Sequence, residues 1–277
     1  MKPPLAYYGA KTSIGPRIAA MLGPHEHYVE PFAGSLAVLL AKRPSRMETV
    51  NDLDEHLMTF WQVLRDRPAD LIRVCALTPH SRAEHLAAYQ PVPADHPDQP
   101  LEAARRVWVR LSQGRTGTLR QTGWRFFIDP AGSSTSMPGY LTGYVNRMAA
   151  VAQRLSQVSL ECRPALDVIT AYGAEPDVLL YVDPPYLGST RSRNYRYEMG
   201  SASDHRDLAA ALNSCRATVV LSGYESPLYQ DLYADWHRHR IPSGTSQGGH
   251  WSSRTEVLWS NRRFPVPDSL FDTEGAA

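Results

Sequence analysis

The sequence predicts an α/β protein built on a parallel sheet covered on both faces, and three observations carry that expectation. Strand-like and helix-like segments alternate at both ends of the chain. One strand, Val178-Leu179-Leu180-Tyr181-Val182, is apolar without a break, as the buried middle of a parallel sheet requires. Between the alternating regions, from Arg65 to Ser156, strand signals are few and helix-compatible stretches dominate. A chain of 277 residues holds one large α/β domain, or a core domain with a modest insertion.

Each element follows from its own residues. Tyr28-Val29-Glu30-Pro31-Phe32 reads as a short strand entering a Gly-bearing turn, and Leu36 to Ala41 as the opening of a helix. Thr49-Val50 reads as a second strand, ending in the acidic cluster Asn51-Asp52-Leu53-Asp54. Leu57, Phe60, Trp61 and Leu64 then recur at helical spacing. The middle region carries a Pro-rich link, Pro91 to Pro97, and a Gly/Ser/Thr-rich loop, Gly114 to Gly139. Strands resume at Val158 to Cys162, at Val178 to Val182, at Ala217 to Ser222 and at Glu256 to Ser260. The tail beyond Phe264 is expected to fray.

Composition excludes several classes. Hydrophobic residues are 43% and charged residues 21%, close to globular averages, which argues against wholesale disorder. No apolar run approaches the roughly 20 residues that cross a bilayer. Met1-Lys2-Pro3-Pro4 has no signal-peptide character, so a cytoplasmic location is expected. Cys75, Cys162 and Cys215 have neither disulfide nor zinc-site spacing, and the closest histidine pairs lack a third ligand, so no metal is expected.

The net charge is only +1, so any affinity for nucleic acid must come from local distribution. From Leu101 to Arg147 the charges are Arg105, Arg106, Arg110, Arg115, Arg120, Arg125 and Arg147 against Glu102 and Asp129. Such a run is either a solvated helical face or a nucleic-acid surface. Trp108, Trp124, Phe126 and Phe127, interleaved with the arginines, improve the second reading without settling it.

The sharpest chemical feature is Asp183-Pro184-Pro185-Tyr186, directly after the apolar strand. Ligands of open α/β sheets bind outside the carboxyl ends of strands. Two prolines fix the backbone and leave carbonyl acceptors in place. A carboxylate, a fixed carbonyl and an aromatic ring suit an amino group on a flat ring, with the acceptors taking its N–H bonds and the tyrosine stacking. Its companions are weaker singly. Glu30-Pro31-Phe32-Ala33-Gly34 ends a strand in a turn that admits a ligand to a helix N-terminus. Asp52 stands where acidic residues bond ribose hydroxyls, although an Asp there also serves as a helix cap. Tyr7-Tyr8-Gly9-Ala10-Lys11 has no meaning alone.

In this order, the segments resemble the Dam-type (D12 class) DNA adenine-N6 methyltransferases. Tyr7 to Lys11 resembles their N-terminal aromatic-x-Gly-[Gly/Ala]-Lys element, Glu30 to Gly34 their cofactor loop, and Asn51 to Asp54 their ribose-binding motif. Leu160 to Ile169 resembles the segment whose acidic residue, here Asp167, approaches the cofactor adenine. Asp183 to Tyr186 matches the catalytic motif completely. His205 with Leu208 and Leu212, then Leu221 to Tyr224, and Arg254 to Asn261 resemble the later core motifs. Where the family loop often has a second glycine, this chain has Leu36.

The resemblance implies a Rossmann-like methyltransferase sheet with an inserted, mainly helical target-recognition domain. The catalytic domain is expected over 1–60 and 157–264, the insertion over 61–156, and a tail over 265–277. Implied catalytic residues are Asp183, Pro184, Pro185 and Tyr186. Tyr7, Lys11, Glu30, Pro31, Phe32, Ala33, Gly34, Asp52, Asp167 and Asp183 would hold S-adenosylmethionine, in a pocket expected to lie apart from the insertion. Arg110, Arg115, Arg120 and Arg125 would contact double-stranded DNA. Transfer would be to N6 of a flipped adenine; cytosine N4, RNA adenine and a non-catalytic DNA-binding relative stay open as alternatives. A restriction endonuclease partner in the same system is also left open, as is a monomer or weak dimer.

Overall fold

The computed structural model describes residues 1–132, 135–187, 199, 201–247 and 250–265. Its centre is a seven-stranded sheet of order β3-β2-β1-β4-β5-β7-β6. The strands are β1 (His27–Glu30), β2 (Met47–Asn51), β3 (Ser159–Glu161), β4 (Val178–Val182), β5 (Thr218–Gly223), β6 (His237–Gln247) and β7 (His250–Ser260). β1 to β5 pair in parallel, and β7 runs antiparallel to both β5 and β6. All five residues of β4 are buried, as its unbroken apolar run predicts.

The helices are α1 (Gly15–Met21), α2 (Ala37–Ala41), α3 (Glu55–Asp66), α4 (Pro68–Leu77), α5 (Arg82–Ala87), α6 (Gln99–Gln113), α7 (Met137–Leu155), α8 (Ala165–Gly173), α9 (Ala202–Asn213) and α10 (Pro227–Leu232). Strand alternation sends neighbouring side chains to opposite faces, and both faces are covered. Tyr28, Leu179 and Tyr181 join one buried cluster with α3, α6 and α7, whereas Val29, Leu180 and Val182 join another with α8 and α9.

The middle region is helical, as its pattern predicts, but it has no separate core among the described residues. α3 runs continuously through residue 61, where the insertion was expected to begin, and Trp61 is fully buried. On α6, Ala104, Val107, Trp108 and Leu111 are buried at helical spacing in the cluster that holds Tyr28 and Val50. The larger aliphatic ones, Val107 and Leu111, each contribute about 1.5–3 kcal/mol through burial. The Glu48 carboxylate, buried on β2, bonds Lys42 at 2.6 Å and Arg154 of α7, fastening that helix to the sheet.

β6 is the element the sequence hides. His237-Arg238-His239-Arg240 carries no apolar signature, and Pro242 lies within the strand. Both are tolerated because, among the described residues, β6 is an edge strand with a partner on one side only. β7 starts six residues before its expected first residue because β6 pairs with it along its whole length. The expected tail lies, from 266 on, outside the described residues.

Candidate active site

A cavity of about 330 Å³ opens where β1, β2 and β4 end. Its first wall is the turn after β1. Gly34 has φ +47°, and a Cβ there would stand 2.9 Å from the Tyr7 ring. Gly34 is therefore required both for conformation and for the close approach of the N-terminal segment. Leu36 also has a left-handed backbone, φ +59°, and its side chain is fully buried. A leucine thus adopts a conformation that favours glycine, at a cost of about 1–2 kcal/mol. Its burial, worth about 1.5–3 kcal/mol, offsets that cost.

The turn is held from β2 and α3. Gly34 N donates to Asp52 Oδ2 at 2.9 Å, Asp54 N donates to Asp52 Oδ1 at 3.0 Å, and Trp61 Nε1 donates to the Gly34 carbonyl at 3.1 Å. Asp54 caps α3 by accepting from His56 N and Leu57 N. The Asn51 side-chain amide donates to the carbonyls of Pro31 at 2.9 Å and Arg163 at 3.0 Å, joining two sides of the cavity. Burial pushes the Asp52 carboxyl up to about 6, against the pull of the backbone N–H groups of Asp54, Gly34 and Leu53. Burial likewise pushes Glu30 up to about 8, although Tyr28 Oη and Leu39 N donate to it at 2.5 and 2.8 Å.

The second wall is the turn after β4. Lys11 Nζ bonds both Asp183 oxygens, at 2.8 and 2.7 Å, and the Gly9 carbonyl at 3.1 Å. Burial works against the Lys11 charge, but Asp183 and then Glu256 outweigh it, and the Lys11 pKa is raised. The Tyr186 hydroxyl lies 3.0 Å from Asp183 Oδ1 and donates to Glu256 of β7. Ser222 of β5 donates to the same Glu256 oxygen at 2.7 Å. Burial, then Asp183 and Glu256, raises the Tyr186 pKa well above its ordinary value.

Tyr7, Lys11, Glu30, Pro31, Phe32, Ala33, Gly34, Asp52, Asp183 and Pro185 all line the cavity. Pro184 and Tyr186 do not; Tyr186 faces a smaller hollow of about 40 Å³ with Tyr224, Ser226 and Tyr229. Asp167 differs from its expected place. Pro164, Ala165 and Leu166 form that part of the wall, while Asp167 is exposed in the first turn of α8, where the helix dipole favours an acid.

Sequence reasoning missed Gly117, Thr118 and Leu119, which line the cavity although they belong to the middle region. The Tyr8 N–H donates to the Gly117 carbonyl at 2.8 Å, which brings that loop to the wall. The pocket therefore does not lie apart from the expected insertion. Only the glycine in Arg115-Thr116-Gly117-Thr118 signals a turn, and nothing in the sequence says where that turn docks. Sequence reasoning also misses Glu256 and Ser222 as site residues, although their segments resemble the family's later core motifs.

The arginines of the middle region divide. Arg105 and Arg106 are consumed by ion pairs with Glu102 and Glu84. Arg110 is half-buried and donates to the Leu119 carbonyl at 2.8 Å. Arg115 is exposed, with its guanidinium 5.8 Å from the Phe126 ring centre. Arg120 is half-buried, and Arg125 lies 4.7 Å from the Tyr140 ring centre. Trp124 stacks between His80 and Phe126, at 4.3 and 5.6 Å.

The sequence profile of the D12 class N6 adenine-specific DNA methyltransferase family matches residues 7–91 and 143–246, more than half of the chain. The chain is 25% identical to the type II methyltransferase M1.LlaDCHI of Lactococcus lactis subsp. cremoris, over 94% of this chain and 95% of the relative. It is also 25% identical to the retron Ec67 DNA adenine methylase of Escherichia coli, over 92% of this chain and 89% of the relative.

Proposed function

This chain belongs to the D12 class of N6 adenine-specific DNA methyltransferases, and from that premise we propose that it binds S-adenosylmethionine in the cavity and methylates N6 of an adenine flipped out of double-stranded DNA at a specific site. The observation that carries this reading is the shared cavity: Asp52 at the end of β2 and Asp183 after β4 both line it. Its chemistry fits the cofactor. Among the described residues the lining carries the carboxyls of Glu30, Asp52, Asp54, Asp183, Asp204 and Asp207 against the single cation of Lys11, an acidic surround suited to a cationic ligand. Asp52 would accept from ribose hydroxyls, and Phe32, Leu53 and Leu166 offer apolar surface to a purine. When bound, the cofactor supplies a methyl group carried on a sulfonium.

Adenine N6 is a poor nucleophile because its lone pair is delocalised into the ring. The Asp183 carboxylate and the Pro184 carbonyl would accept its two N–H bonds and favour a tetrahedral nitrogen. The same acceptors would stabilise the positive charge that develops on N6. Much of the remaining gain would come from holding the reactants in line. Tyr186 would stack on the base, which cannot be reached inside a duplex and must leave the stack. The expected insertion, 61–156, would supply target recognition through Arg110, Arg115, Arg120 and Arg125. A restriction endonuclease in the same system would be a fitting partner for such an activity.

Digested DNA from a methylation-free host expressing the protein should contain N6-methyladenine and no N4-methylcytosine. Calorimetric titration with S-adenosylmethionine in a chelator should give binding heat. Heat that appears only after a divalent ion is added, or methylcytosine in the digest, would overturn the reading.

A further inference from the structure

Lys11 alters the electrostatics of the catalytic turn. Its ammonium bonds both oxygens of Asp183, so that pair approaches neutrality. An acceptor meant to stabilise positive charge on an amine is weakened when a cation is already bound to it. A second carboxylate stands beside the pair. Glu256 is 3% exposed on β7, 3.9 Å from Lys11 Nζ, and accepts from Ser222 and from the Tyr186 hydroxyl. A buried carboxylate is costly, and a neutral glutamine could accept the same two hydroxyl bonds without that cost. The charge itself therefore calls for an explanation.

We propose that Glu256 is a positioning residue that restores net negative charge to the catalytic cluster: with Lys11 and Asp183 it makes a three-charge group carrying one excess negative charge, and it fixes Tyr186 by its hydroxyl. This rests on the methyl-transfer reading above. The excess charge faces the nitrogen that becomes positive during transfer, so it acts more strongly in the transition state than on the bound substrate. Neither Glu256 nor Ser222 lines the cofactor cavity, so the role is separable from cofactor binding.

The groups facing Glu256 are Lys11, Tyr181, Asp183 and Tyr186. Burial and Asp183 raise its pKa, while Lys11 and the bonds from Tyr186 and Ser222 hold it down; the balance is upward. Glu256→Gln keeps an acceptor and removes the charge. It should lower kcat roughly 10- to 100-fold, somewhat less than loss of a direct contact, with KM for DNA and Kd for S-adenosylmethionine unchanged. The acid limb of the kcat profile should move to lower pH with it. In the cofactor-free protein, carbon-13 titration of glutamate carboxyls should lose one raised midpoint. Ser222→Ala keeps the carboxylate and deletes a donor, so it should move both the limb and that midpoint to higher pH, which decides the matter if Glu256→Gln fails to fold. Parent kcat in Glu256→Gln, or an acid limb unmoved in both variants, would overturn the proposal. Absence of N6-methyladenine with the parent protein would instead remove the methyl-transfer reading, and the carboxyl titration would still stand.

Discussion

Asp52 and Asp183 sit at the ends of two strands of one sheet and line one cavity, yet they are held in opposite ways. Asp52 is fixed by backbone N–H groups, Gly34 at 2.9 Å and Asp54 at 3.0 Å, the second only two residues away. Asp183 is fixed by side chains, with Lys11 reaching it across 172 residues and Tyr186 from the same turn. Backbone donors hold a carboxylate in one place whatever the charge around it. Side-chain donors place it and also set its electrostatic surroundings, as a reacting group requires. On the proposed reading, the contrast matches binding at the β2 end and chemistry at the β4 end.

The largest expected effect tests the second half of that contrast. Asp183→Ala should lower methyl transfer by about 10²–10³-fold, the usual loss when one preorganised group is removed. DNA binding should survive, and full activity in the variant would break the assignment. Asp52→Ala should weaken S-adenosylmethionine binding by roughly 1.5–3 kcal/mol, the range for a hydrogen bond to a charged group. Its kcat at saturating cofactor should stay near the parent value. If affinity holds and kcat falls instead, the two ends have exchanged roles.

Acidity sharpens the same contrast. The Asp52 carboxyl is raised from 3.8 to about 6 in the folded chain, so the native state binds its proton more tightly than the unfolded state. Its contribution to stability is complete below about pH 3.8 and lost as pH rises through about 6. Cofactor affinity should run the other way, rising through that window as the ribose acceptor ionises. Thermal melts and titrations between pH 4 and pH 7 should show these opposed slopes. Asp52→Asn should flatten the affinity slope and only reduce the stability slope, because Glu30, raised to about 8, adds loss of the same sign. Slopes of the same sign would show that another group controls one of them.

The smallest effects concern the middle region. Arg115→Ala should weaken DNA binding modestly and lower the salt slope by about one, without touching cofactor affinity. Arg110→Ala should weaken cofactor binding as well, because Arg110 holds the carbonyl of Leu119 and Leu119 lines the cavity. Identical behaviour of the two variants in both assays would remove this distinction.

By itself the sequence determined the strands with an apolar run and the groups placed directly after them. Val178 to Val182 and Thr218 to Gly223 are legible because a buried strand must be apolar, and Asp52 and Asp183 because ligands gather where such strands end. It did not determine β6, whose His and Arg residues are compatible with an edge strand and equally with a loop. Tertiary structure alone decided that Leu36 takes a left-handed backbone, that Gly117 to Leu119 wall the cavity, and that Asp167 does not. It also decided that Glu256 meets Tyr186 across 70 residues. Periodicity and strand ends are local properties, readable from neighbours in the chain. A buried charge network depends on which distant segments the sheet order brings together, and that order is fixed by packing on both faces rather than by any single segment.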